Sequence, residues 1–237
     1  MNTRFSAALS LGAIFTVLNP ISAQAEQAGH HGHQAHSAHG DPGAATKTHA
    51  WRLEVKPARP LVKGESTELS VSLRDAGGQP VTSAELARVH EENLHLLIVD
   101  DTLSDYHHLH PLEASPGTFV VTFTPRAGGR YFVYADVTDQ ARATQRYLRA
   151  EIRAKGPLPT AEHSIQHEVV VEGYRFELSV PQGISVAEGG HAVVHVARPD
   201  GEPTRSLEPV MGAFAHGVGF SRDLESVLHV HPHGPEP

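Results

Sequence analysis

The chain has 237 residues, 27 acidic against 19 basic and a formal net charge of −8, a balance that argues against nucleic acid or anionic lipid as a partner because both select basic patches. It contains no cysteine, so it has neither disulfides nor thiolate ligands, and stability must come from buried apolar surface. Histidine is the outlying residue, 19 of 237 and clustered, which points to a cation as ligand.

The chain opens with Arg4, a mostly apolar stretch from Phe5 to Leu18, a break at Asn19-Pro20 and the triplet Ala23-Gln24-Ala25, the layout of a cleavable secretory signal. That stretch is shorter than the roughly 20 residues that cross a bilayer, and no later segment is apolar enough to span one. The expected mature protein starts near Glu26 and is soluble, periplasmic or secreted, with no cysteine to carry a lipid anchor. Cleavage would leave 237 − 25 = 212 residues. A single sandwich takes about 100, so two domains are expected.

From Glu26 to Thr48 the run EQAGHHGHQAHSAHGDPGAATKT offers too little apolar surface to fold. Its His30, His31, His33, His36 and His39 form a tract of the kind that scavenges metal weakly, without fixed geometry. Beyond it, Trp51–Val55, Glu68–Leu73, Leu94–Val99, Thr118–Phe123, Arg130–Val137 and Arg146–Ile152 alternate roughly as strands, with Gly and Pro between them. Ser83–Glu92 alone carries helical character, balanced evenly against loop, and its length allows about two turns. After Arg153, AKGPLPTAEHS reads as a linker. A second strand series follows at Glu168–Val171, Arg175–Val180, Ala192–Ala197, Ala213–Phe220 and Val227–Val230. The expected fold is all-β: two tandem immunoglobulin-like or cupredoxin-like β-sandwich domains at 49–153 and 165–237, joined by a linker at 154–164.

A repeat underlies this division. His95, His108, His110 and Pro111 recur as His216, His229, His231 and Pro232, each at an offset of 121, with Leu103 matching Leu224 and Val89 matching Val210. About 42 residues follow Pro111 in the first copy, but only five, His233 to Pro237, follow Pro232. The second domain is therefore expected to be incomplete, its open edge either a truncation or covered by a partner such as a second copy of the chain.

Alternate residues on a strand share a face, so His108 and His110 stand together about 7 Å apart. If His95–Val99 and Tyr106–His110 pair as a hairpin around Asp100–Asp105, residue 99 opposes 106 and residue 95 opposes 110, and three imidazoles converge. The same arithmetic sets His216 against His231, with His229 beside it; a Greek-key path would instead put the two segments in different sheets. Three imidazoles without thiolate favour Cu(II) or Zn(II), with Ni(II) or Co(II) also compatible, and disfavour Cu(I). Met211, five residues before His216, keeps a mixed copper site open. Asp100, Asp101 and Asp105 offer oxygen ligands or contacts to the second ring nitrogens. His107 and His233 are weaker ligand candidates, while His191 and His195 read as structural. A lone histidine on a half-buried strand is more often a satisfied polar residue than a ligand, and it is the repetition of the set that favours metal.

Enzyme motifs are sparse. His90-Glu91-Glu92-Asn93-Leu94-His95 has one residue too many for a helical zinc-protease motif, and there is no Gly-x-Ser-x-Gly elbow or cysteine nucleophile. A three-histidine ion with an open position can activate water, yet no residue pattern points to a substrate, so a non-catalytic protein is expected.

The segments HEENLHLLIVDDTLSDYHHLHP and MGAFAHGVGFSRDLESVLHVHPHG resemble a bacterial family of exported tandem-repeat proteins that carry a His, then D-L, then H-x-H-P in each copy and occur alongside heavy-metal resistance and efflux systems. The resemblance implies periplasmic metal handling, with His95, His108, His110, His216, His229 and His231 as ligands and a metal-efflux or envelope protein as a partner. Thr102 stands where the D-L pair would have Asp, and the chain ends just after the second H-x-H-P. The expectation is a periplasmic protein that buffers, sequesters or delivers Cu(II)- or Zn(II)-type ions. The alternative is an immunoglobulin-like interaction module of the envelope whose histidines are structural or sense pH.

Overall fold

A computed structural model describes residues 50–160, 166–181, 190–204, 208–209 and 213–232. Among them the fold is all-β, and the single helical turn is the 3-10 turn Ser83–Glu85. Among the described residues no helix is long and apolar enough to cross a membrane. The chain divides into two compact units, one holding 50–160 together with His216–His231, the other holding the described residues between 166 and 215 together with Pro232.

In the first unit a four-stranded antiparallel sheet has the order β1 (Arg52–Pro57), β3 (Thr67–Arg74), β7 (Thr118–Phe123), β6 (Leu112–Ser115). The β3 sequence TELSVSLR buries Thr67, Leu69, Val71 and Leu73 and turns Glu68 outward, the alternation of a sheet with one wet face. A five-stranded sheet packs against it in the order β2 (Leu61–Val62), β9 (Thr144–Lys155), β8 (Gly129–Asp139), β4 (His95–Asp100), β5 (Tyr106–Leu109). Leu69, Val71, Leu73, Phe119 and Phe123 of the first sheet meet Leu96, Ile98, Tyr131, Val133, Ala135 and Val137 of the second.

The strands β4 and β8 are apolar almost throughout because both of their faces are covered. On the second face, Leu97, Val99, Phe132 and Tyr134 pack against Val218, Phe220, Leu224 and Val227. Those partners belong to an antiparallel hairpin of β13 (Gly217–Phe220) and β14 (Val227–Val230). Burying each such side chain is worth about 1.5–3 kcal/mol, and the Tyr134 hydroxyl adds a hydrogen bond to the Leu224 carbonyl. The expected boundary at 165 therefore separates residues that fold together, since the last 16 residues of the repeat, His216–His231, complete the first unit.

The helical reading of Ser83–Glu92 gives way to extended chain after one turn. Leu86 is buried and bridges to Asp139, while the Ala87 amide donates to the Thr138 carbonyl, so pairing with the end of β8 overrides local propensity. The second unit holds a three-stranded antiparallel sheet of β10 (Glu168–Val171), β11 (Tyr174–Ser179) and β12 (Val193–Ala197). Its Val170 and Val194 are exposed.

Candidate metal centre

Two hairpins of the same construction carry the repeated histidines. The β4–β5 register pairs Val99 with Tyr106 and Leu97 with His108, and the β13–β14 register pairs Gly217 with Val230 and Val218 with His229, as the spacing predicts. Their loops match residue for residue at the offset of 121. The Asp100 amide donates to the Asp105 carbonyl and the Leu103 amide to that of Asp100; Ser221 pairs with Ser226 and Leu224 with Ser221 in the same way. Leu103 and Leu224 share a left-handed backbone, φ 59° and 58°.

The difference between Thr102 and Asp223 is an exchange of partners rather than a loss. In the first loop Thr102 donates to the Asp100 carboxylate, which also accepts the Ser104 and Asp105 amides; in the second, Ser221 donates to the Asp223 carboxylate. Carboxylate and hydroxyl trade places two residues apart, and the turn is kept.

Each hairpin gathers three imidazoles whose ligating nitrogens all lie within 4.8 Å of one another. In the first, His95 Nδ1 lies 3.1 Å from His108 Nε2 and 3.2 Å from His110 Nε2. In the second, His216 Nδ1 lies 3.4 Å from His229 Nε2 and 2.9 Å from His231 Nε2. The pattern Nδ1, Nε2, Nε2 is the same in both. An ion with tetrahedral bonds of about 2.0–2.1 Å sets its ligand nitrogens about 3.3–3.4 Å apart, and the Nδ1–Nε2 spacings of both triads, 2.9–3.4 Å, are close to that.

Two hydrogen bonds set the tautomers. His95 Nε2 is 3.0 Å from the Val89 carbonyl, which can only accept, so the proton is on Nε2 and the Nδ1 lone pair faces the other two rings. His229 Nδ1 lies 3.0 Å from Oδ2 of the buried Asp136, so its Nε2 is the free nitrogen. A carboxylate or carbonyl behind a histidine is the usual support of a metal ligand. Asp136 also accepts a hydrogen bond from the Gln145 amide, 2.8 Å away.

Burial favours the neutral form of four of the rings. It lowers His95 to about 4, His108 to about 2 and His231 to about 3, with repulsion from neighbouring histidines adding to the effect in each. His110 is lowered as well, again chiefly by burial. Neutral imidazole is the form that binds a metal.

The other candidates fall elsewhere. His107 points to the opposite face of β5, edge-on to Phe123 at 4.8 Å and 2.8 Å from Asp105. His191 and His195 are exposed in the second unit. His30, His31, His33, His36, His39, His233 and Met211 lie outside the described residues. The expected role of Asp100, Asp101 and Asp105 beside the ligands is not what they do. Asp100 caps its own loop, Asp101 faces Arg130 at 3.8 Å, and Asp105 accepts from the Arg126 backbone and the Tyr131 hydroxyl.

Three features escaped the sequence reading. They are Asp136, the Val89 carbonyl, and His90, whose ring tilts against His231 at 3.6 Å from a left-handed backbone, φ 48°. Asp136 leaves a trace in the sequence. It interrupts the apolar run RYFVYADV, and an acid inside a strand buried on both faces is rare unless it is paired.

A family model described as a domain of unknown function, DUF8832, matches residues 45–155 and 168–237. No curated protein matches the chain. Among solved structures, the PmoD soluble domain from Methylocystis sp. ATCC 49242 (Rockwell) is 14% identical with a TM-score of 0.31, over 44% of this chain and 90% of that one. The CARDB domain of the PF1109 protein from Pyrococcus furiosus, crystallised in complex with di-metal ions, is 15% identical with a TM-score of 0.26, over 48% and 94%. S. aureus TarS 217–571 is 8% identical with a TM-score of 0.25, over 70% and 48%. Likenesses this slight bear on neither ligand nor activity.

Proposed function

The chain belongs to the DUF8832 family, a domain of unknown function, and from that premise we propose that it is an exported, non-catalytic protein that binds transition-metal ions of the Cu(II) or Zn(II) type in order to buffer, sequester or deliver them. One observation carries the reading. In each of two hairpins three imidazoles converge, with one ring's Nδ1 set 2.9–3.4 Å from the Nε2 atoms of the other two. Only one proton can lie between any two such nitrogens, and the supports at Val89 and Asp136 hold a proton of His95 and of His229 on the side away from the other rings. Lone pairs that face one another without a cation repel, so a bound ion relieves the arrangement.

The absence of cysteine from all 237 residues supports divalent rather than cuprous copper. The signal-like N-terminus and the resemblance to exported proteins of metal resistance support a periplasmic site of action, with a metal-efflux or other envelope protein as recipient. The five tail histidines would collect ions loosely, and the triads would hold them.

The test is thermal unfolding of the chain with the five tail histidines changed to Asn, titrated with Cu(II), Zn(II), Ni(II) and Co(II). A ligand that binds only the folded state adds about 2.7 kcal/mol at a hundredfold excess over its Kd. The expected result is a selective, stoichiometric rise in Tm that His108→Ala/His110→Ala and His229→Ala/His231→Ala each diminish. No rise with any of the four ions would overturn the reading in favour of an envelope interaction module.

A further inference from the structure

The two triads do not lie apart. His95, Leu97 and Val99 alternate along β4 on the face that also carries Asp136, Tyr134 and Phe132 of β8, and this face meets the hairpin of β13 and β14. The layer between sheet and hairpin is apolar at one end, where Val99 and Phe132 pack with Phe220 and Val227, and it becomes histidine at the other. There the spacing of rings across the layer is close to the spacing within a triad. His108 and His229 are 5.0 Å apart, His95 and His229 5.3 Å, and His108 and His216 5.8 Å, against 4.6–5.6 Å inside the triads.

We infer that the six histidines form one two-ion centre, in which ions held by the facing triads interact directly and share the buried carboxylate of Asp136. This rests on the metal-binding reading above. An ion bound by an imidazole lies roughly 3 Å from the ring centre. A path from one ion through His108 and His229 to the other therefore limits their separation to about 11 Å, given 5.0 Å between those rings. Asp136 is the Cα partner of His95 on the neighbouring strand and accepts the hydrogen bond of His229, so it lies beside both triads. A single buried anion between two dications offsets part of their mutual repulsion. The second ion still binds more weakly, because two doubly charged ions about 11 Å apart repel enough even in water to cost about tenfold in affinity.

The test is a Cu(II) titration of the full chain with His30, His31, His33, His36 and His39 each changed to Asn, followed by calorimetry and low-temperature electron paramagnetic resonance. Two equivalents bind, the second about tenfold or more weakly. The spectrum after the first is that of an isolated ion, and the second broadens or diminishes it instead of doubling it. His231→Ala leaves one tight equivalent with an isolated-ion spectrum. Asp136→Asn weakens both equivalents; loss at one alone would show that the carboxylate serves only its own triad and is not shared. Two equivalents of equal affinity with simply additive spectra would overturn the coupled centre and leave the metal-binding function intact, as would a single equivalent that needs both triads. No ordered binding at all would remove both.

Discussion

At the residue scale the chemistry depends on which nitrogen carries the proton. A histidine whose folded pKa lies below the ordinary 6.5 binds its proton more readily in the unfolded chain, so its contribution to stability is complete above about pH 6.5 and lost as the pH falls toward the folded value. His95, lowered to about 4, sets a window from 6.5 down to 4, and His231 extends it to about 3. Metal-free protein is therefore expected to lose stability across that range by about 1.4 kcal/mol per pH unit for each histidine that stays neutral. Urea unfolding at a series of pH values reads this directly, and a flat profile between pH 6.5 and 4 would contradict it.

Asp105 shows the opposite sign. Burial pushes its carboxyl up, but the contacts from His107, Tyr131 and the Arg126 backbone outweigh burial and hold it below the usual carboxylate range. Because it braces the loop from the face opposite the triads, Asp105→Ala is expected to cost about 1–3 kcal/mol through the partners left unsatisfied. Metal affinity, followed by competition with a chromogenic chelator, should stay unchanged in that variant. A parallel loss of affinity would return Asp105 to the ligand surroundings where sequence alone had set it.

At the scale of elements, the hairpin of β13 and β14 serves as the cover of a sheet and not as part of a separate domain. Phe220 is 4% exposed against Tyr134 and Tyr106. Phe220→Ala should destabilise the first unit by about 3–5 kcal/mol, visible in the main unfolding transition. A hairpin that belonged to an independent domain would leave that transition where it is. The turn between β8 and β9 gives a prediction of opposite sign. Ala143 is exposed and left-handed at φ 49°. Ala143→Gly relieves about 1–2 kcal/mol of strain against about 0.5–1 kcal/mol of added chain entropy. A small gain in Tm is expected.

At the scale of the whole molecule, ions bound as proposed between the sheet and its cover would tie together segments about 120 residues apart in sequence. Removal of metal by a chelator is expected to lower the Tm of the first unit and to increase amide hydrogen exchange in β13 and β14 before β3 or β7, because the four-stranded sheet is held by the apolar core it shares with the opposite face of the five-stranded sheet. Uniform exchange across both sheets would place the ions elsewhere.

Much of this was legible in the chain. The period-2 pattern marked most strands, and the offset of 121 paired the histidines and foretold both hairpin registers, because a strand's facing and a short hairpin's pairing are decided by neighbours in sequence. Tertiary structure alone decided that the second hairpin covers the first unit, that Asp136 stands behind His229 from 93 residues away, and that His90 leans on His231. Apolar burial drives that docking and has no direction of its own. A sequence records how much of a hairpin face must be buried, and only the folded chain selects the surface that buries it.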